Sequence, residues 1–117
     1  MTQFITLSNN YAHYHSHVYF DKTTCEQARA LRLQIIEQLN LEVGRFHEKQ
    51  VGPHPSWSFQ TKFTQADFAM FIAWIDTHRQ NLTVLVHAVT GDDYMDHTEH
   101  ADWLGEPETL NLAIFCC

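Results

Sequence analysis

The segment Tyr11–Asp21, YAHYHSHVYFD, alternates as a half-buried strand does. Ser16, Val18 and Phe20 fall on one side. His13, His15, His17 and Tyr19 fall on the other, because successive side chains of a strand point to opposite faces. The α-carbons of His15 and His17 are then about 6.6 Å apart, two residues of rise. Two imidazoles leaning together from that spacing reach one metal ion, for which about 2.0–2.1 Å is the usual zinc–nitrogen distance. A solvated polar face would use the same alternation, so metal chemistry needs partners from elsewhere in the chain.

Those partners are available. Nine of 117 residues are histidine, the commonest metal ligand and the commonest acid–base group near neutral pH. The length predicts one domain over residues 1–117 with room for a real core. The formal charge of −7, with only seven Lys and Arg, argues against nucleic acid or an anionic membrane surface as partner. No run approaches the roughly 20 apolar residues that span a bilayer. Met1–Asn10 lacks a basic start and apolar middle, which predicts a cytoplasmic protein. Cys25, Cys116 and Cys117 form no disulfide framework and are expected as thiols.

Beyond Asp21 the chain alternates between helical and strand patterning. Thr23 with Glu26, or Thr24 with Gln27, can form a capping box. Ala28, Leu31, Ile35 and Leu39 then recur at helical spacing, Ile36 broadens the stripe, and Asn40 is a stop. Leu41–His47 reads as a strand with Val43, Arg45 and His47 on one face. Gly52, Pro53 and Pro55 stiffen a turn around His54, which reduces the freedom His54 would lose on binding a ligand. Trp57–Phe63 is a third strand. Thr64 caps a second helix, with Asp67 near its positive end and Phe68, Phe71, Ile72 and Ile75 as its apolar stripe. Leu82–Ala88 is a fourth strand, with Leu85 and His87 sharing a face. In the acidic segment Thr90–Pro107 a short helix ended by Gly105 would place His97, Ala101 and Leu104 on one side. Leu110–Cys117 alternates as a final strand would.

The order β-α-β-β-α-β predicts an α+β, ferredoxin-like antiparallel sheet with both helices on one face, plus a C-terminal extension. The first and third strands are central and the fourth lies beside the first. Helices cover the apolar face, so His15, His17 and His87 point to the opposite one, and His54 approaches it from the mouth of the third strand. Such a face needs cover, from the C-terminal segment or from a second subunit, and a homodimer is the prediction.

Four separated segments carry a resemblance: HVYFD (His17–Asp21), GPHP (Gly52–Pro55), LTVLVHAVTGDD (Leu82–Asp93) and DHTEHADWLGEP (Asp96–Pro107). In order along nearly the whole chain they resemble the signature segments of the DOPA 4,5-dioxygenase family. These are small non-haem iron proteins whose named members open the catechol ring of DOPA by extradiol cleavage. The loop before the third strand and the final LNLAIF also fit. Cys116–Cys117 matches no part of the pattern, and His15 lies outside the first motif proper. The family pattern carries over to His17, His54, His87 and His97, of which His17, His54 and His87 are the candidate ligands of Fe(II), a site that zinc or another divalent ion can also fill.

Extradiol cleavage needs an ion with open positions, a catechol and O₂ as partners, and a group that moves protons. Two histidines with a carboxylate is the familiar iron arrangement, but Glu48, Asp92, Asp93 and Asp96 are equal candidates and three histidines are as open. His97 is assigned the acid–base role. His15, Tyr19, Arg45 and His47 are candidate substrate contacts, Arg45 through paired donors to a carboxylate. Tyr19 and Trp103 can flank a ring. The same fold also serves non-catalytic dimeric modules and ligand sensors, sites of structural zinc, and cofactor-free monooxygenases.

Overall fold

The computed structural model describes residues 7–115. Strand β1 (His13–Phe20) lies at the centre of a five-stranded sheet. Its Tyr14, Ser16, Val18 and Phe20 all face the core, each under 5% exposed. Helix α1 (Cys25–Leu39) follows, then β2 (Glu42–Val43), β3 (Trp57–Thr64), α2 (Phe68–His78) and β4 (Thr83–Ala88). A single-turn α3 (Asp93–Asp96) leads to β5 (Ala101–Leu104). The strand order is β2-β3-β1-β4-β5 and every neighbouring pair is antiparallel. This is the expected ferredoxin-like α+β sheet with one further strand at the β4 edge.

Both helices cover one face. Ala28, Leu31 and Ile35 of α1, and Phe68, Phe71 and Ile75 of α2, join Val18, Phe59, Phe63, Val84 and Val86 in one core. Phe71 stacks on Phe63 at 4.5 Å between ring centres and is fully buried. Truncating such a ring to alanine costs about 3–5 kcal/mol, lost burial plus the cavity left behind. Two hydroxyls sit oddly in this core. Ser16 and Thr61 are cross-strand neighbours, wholly buried, and neither finds a hydrogen-bond partner among the described residues.

Local details depart from the sequence expectations. No capping box forms at α1. Asp21 Oδ1 instead accepts from the Thr23 and Thr24 amides (2.9 and 3.1 Å) and from both threonine hydroxyls. A short carboxylate before the helix satisfies the early amides without a residue three positions on. Ile36 is 40% exposed and outside the stripe. Asn40 ends α1 in the left-handed region, as expected. Thr64 makes no side-chain cap to the backbone; it opens a 3-10 turn (Gln65–Asp67) and donates to the Asp67 carboxylate at 3.2 Å.

The second strand is shorter than Leu41–His47 and changes face along its length. Val43 pairs with Thr61 on the core side, while His47 bridges to Ser58 on the other. Gly44 donates to Gln60 O, so three residues on this strand span two on β3. An inserted residue shifts the alternation, which is why Val43, Arg45 and His47 do not share a face.

The segment expected as a helix ending at Gly105 is mostly strand. Only Asp93–Asp96 is helical, and β5 pairs Ala101 with His87 and Leu104 with Val84. His97, Ala101 and Leu104 therefore do not line one side of a helix. Gly105 ends β5 at φ 84, where a Cβ would meet Arg79 Nη1 at 2.9 Å. The final strand is absent as well: Leu112–Phe115 is a 3-10 turn, and Cys116–Cys117 lies outside the described residues.

Candidate metal centre

On the sheet face away from the helices, register does the first assembly. His15 stands directly opposite His87 on β4, and His17 opposite Leu85, two pairs along. Diagonal neighbours across an antiparallel pair are within reach of long side chains. His17 Nε2 and His87 Nε2 accordingly lie 2.9 Å apart, both rings buried.

His54 comes from the loop before β3. Gly52 takes φ 57, a left-handed conformation that glycine adopts without a Cβ clash. Pro53 and Pro55 stiffen the residues beside it. The His54 amide donates to Val51 O at 3.1 Å, and the Asn111 amide donates to Pro53 O at 2.8 Å. The His54 ring centre lies 4.0 Å from that of His17. Its Nδ1 is 2.7 Å from the Tyr19 hydroxyl, which fixes the ring and directs Nε2 to its other side.

His97 is carried by the turn after α3. Asp92 caps that turn, accepting from the Met95 amide at 3.1 Å. Asp96 is 2% exposed; it accepts from the Thr90 amide and hydroxyl and pairs with His100 Nδ1. This carboxylate knots the turn and brings the His97 ring to 4.1 Å from His87 and 6.2 Å from His54. His97 Nδ1 donates to Asp93 O at 2.7 Å, leaving Nε2 as the acceptor. Phe115 lies over the same ring at 4.8 Å.

Among the described residues, two histidine triples have ligand atoms all within 4.8 Å of one another: His15, His17 and His87, and His17, His54 and His97. His17 is common to both. His54 and His87 each approach His17 but fall in different triples. Neither triple includes a carboxylate, and three of the four candidates from sequence have other work: Glu48 pairs with Arg29, Asp92 caps α3, and Asp96 holds Thr90.

Electrostatics favours ligand-ready imidazoles. Burial, then neighbouring His54 and His87, pushes His17 well below its ordinary value. Burial and the nearby His97 lower His87 to about 3 and His54 to about 4. His15, half-buried, is lowered by burial and by Lys62. A neutral ring keeps a lone pair for a metal. The His87 Nδ1–H is held by Ala88 O at 2.8 Å, so its Nε2 lone pair faces His17. With ring nitrogens converging and one nitrogen each of His54, His87 and His97 anchored, the cluster has the chemistry to hold a divalent ion.

The remaining sequence candidates divide. Tyr19 is 2% exposed and serves His54 rather than solvent, with its hydroxyl pKa raised by burial. Its ring meets Trp103 edge-on at 5.8 Å. His47 reaches the histidine face through its bridge to Ser58 and is felt by His54. Arg45 is exposed in the irregular stretch between Gly44 and His47. The cover over the cluster, left open between the C-terminal segment and a second subunit, comes from this chain: the His54 loop, the His97 turn and Phe115. Sequence reading missed Asp96 as the organiser of that turn. Its spacing after Thr90 and before His100 was the available signal.

Fold and cluster together define a small α+β protein with a histidine cluster able to hold a metal ion on the sheet face away from its helices. The chain belongs to the Dopa 4,5-dioxygenase family, whose sequence pattern matches residues 14–114. It is 34% identical over 111 residues to a protein of Botryotinia fuckeliana described as an "Uncharacterized 21.2 kDa protein", covering 84% of this chain and 60% of the relative. It is 26% identical over 116 residues to the "DOPA 4,5-dioxygenase" of Amanita muscaria, covering 92% of this chain and 51% of that one. The chain thus spans roughly half to three-fifths of the length of these relatives. A crystal structure from Nostoc punctiforme, described as a "putative dioxygenase", superposes with a TM-score of 0.85 at 34% identity, covering 88% of this chain and 90% of that chain.

Proposed function

We propose that this protein is an extradiol dioxygenase that opens a catechol ring with O₂, using Fe(II) held by His17, His54 and His87. The observation that carries the reading is the 2.9 Å approach of His17 Nε2 to His87 Nε2 in a buried, all-histidine cluster, within a chain of this family. Iron when bound would supply the electronic path between catechol and oxygen that spin otherwise forbids, and both oxygen atoms end in the product. The protein supplies the rest. Burial keeps His17, His54 and His87 neutral, and Tyr19 and Ala88 O fix two of the rings. In this reading the His97 Nε2 lone pair, beside His87, takes a catechol proton and later returns it. The His54 loop and Phe115 lie against the cluster.

The test is metal analysis of protein purified without added metal, followed by oxygen uptake with a panel of catechols under air in the presence of Fe(II). Stoichiometric metal with ring-opened product is the expected result. Bound metal with no turnover of any catechol would return the cluster to a structural or ligand-sensing role. Turnover without metal would point to a cofactor-free monooxygenase. Among the described residues no helix is long and apolar enough to cross a membrane. The homodimer expected from sequence is part of this proposal, and solution mass tests it.

A further inference from the structure

The histidine cluster is covered on one flank and open on the other. Phe115 lies on His97, and the His54 loop is tied to Asn111. On the opposite flank a cavity of about 610 Å³ runs along β1 and β3, walled by His13, His15, Lys62, Phe63, Glu42 and Val89. That volume falls in the range of small-molecule sites, about 300–1,000 Å³. His15 belongs to both places. Its ring is 5.4 Å from His87 and 6.1 Å from His17, yet it also forms part of the cavity wall. A ring lying in this cavity would therefore meet the cluster beside His15.

The cavity carries a cation at a defined register. Lys62 is the cross-strand neighbour of His15 on the same face. Its Nζ is 3.6 Å from Glu42 Oε2, with both side chains more than half exposed. Such a pair is weakly held and exchanges readily for another anion. Arg45, the cation that sequence reading offered for this task, is not among the cavity-lining residues, whereas Lys62 is.

We propose that this cavity is the substrate pocket of the dioxygenase and that Lys62 is its specificity residue, releasing Glu42 to hold a carboxylate on the side chain of the ring. The proposal rests on the functional reading above, and its test can fail separately from it. Binding is measured by calorimetry on Zn(II)-loaded protein, which cannot turn over, with 3,4-dihydroxyphenylpropionate and 4-methylcatechol as probes. Wild type should prefer the acid. Lys62→Gln should erase that preference, a loss of about fivefold or less, the scale of an exposed ion pair, and leave 4-methylcatechol unchanged. Glu42→Gln should keep or widen the preference, because it frees Lys62. Val89→Trp, narrowing the cavity, should weaken both probes without changing metal content.

Equal effects of Lys62→Gln on both probes, or none on either, would overturn the role of Lys62. Unchanged binding in Val89→Trp would overturn the location. Lys62-dependent binding by a protein that oxidises no catechol with Fe(II) would instead sink the dioxygenase reading and leave the pocket standing.

Discussion

His17 Nε2 and His87 Nε2 lie 2.9 Å apart although 70 residues separate them in the chain. Since His87 donates its Nδ1 proton to Ala88 O, the proton between the two rings belongs to His17 when no ion is present. An ion binding there displaces that proton, and the two nitrogens become ligands of one centre.

His87→Ala and His97→Ala should therefore behave differently. The first removes half of that pair and should lose the metal. The second should retain most of it but slow catechol turnover by about 10²-fold or more, the scale of general acid–base catalysis. Metal analysis and oxygen uptake on the same preparations separate the two roles. An empty site in His97→Ala would make His97 a ligand through its triple with His17 and His54.

Tyr19→Phe removes one hydroxyl, the partner of His54 Nδ1, and leaves the ring that packs on Trp103. Losing the outer partner of a ligating histidine typically costs about 10–100-fold in metal affinity. Competition with a chromophoric chelator would read this. Wild-type affinity in Tyr19→Phe would mean that His54 does not ligate through its free nitrogen.

Stability of the metal-free protein should fall in mild acid. His54 titrates at about 4 and His87 at about 3 in the folded chain, against 6.5 when unfolded. Between those values the unfolded chain binds protons that the folded chain refuses, so stability is fully present above about pH 6.5 and is lost as pH falls toward 4 and 3. Each such histidine contributes a slope of roughly 1.4 kcal/mol per pH unit. Urea midpoints from pH 8 to 5 would show a plateau, then a decline. A midpoint unchanged down to pH 5 would contradict this burial.

In the core, Thr61→Val replaces a buried hydroxyl that has no partner among the described residues with a methyl of the same shape. It should be neutral or stabilise by about 1 kcal/mol, since burying an unsatisfied hydroxyl costs about 1–3 kcal/mol. A drop in melting temperature would show that the hydroxyl has a partner, such as an ordered water.

Much of this was legible in one dimension because it depends on alternation. Period-2 patterning put His15, His17 and Tyr19 on one face of β1 and Ser16, Val18 and Phe20 on the other, and His87 followed from β4 in the same way. Helical spacing picked out Ala28, Leu31 and Ile35, and Phe68, Phe71 and Ile75, as buried stripes. What sequence could not give was decided by contacts between distant segments. The acidic stretch before Gly105 has a helical pattern, but the free edge of β4 pairs with Ala101–Leu104 and makes it a strand. One inserted residue between Gly44 and His47 moves His47 to the histidine face, a change that only the ladder with β3 reveals. Whether His97 sits beside His87 depends on Asp96 being buried against Thr90 and His100, because a carboxylate organises a turn only where its partners are held near. The sequence by itself determined that His15, His17 and His87 share a face. Tertiary structure alone decided that five of them meet, and that His15 stands between the cluster and a cavity, because distances between side chains are set by register and loop closure rather than by periodicity.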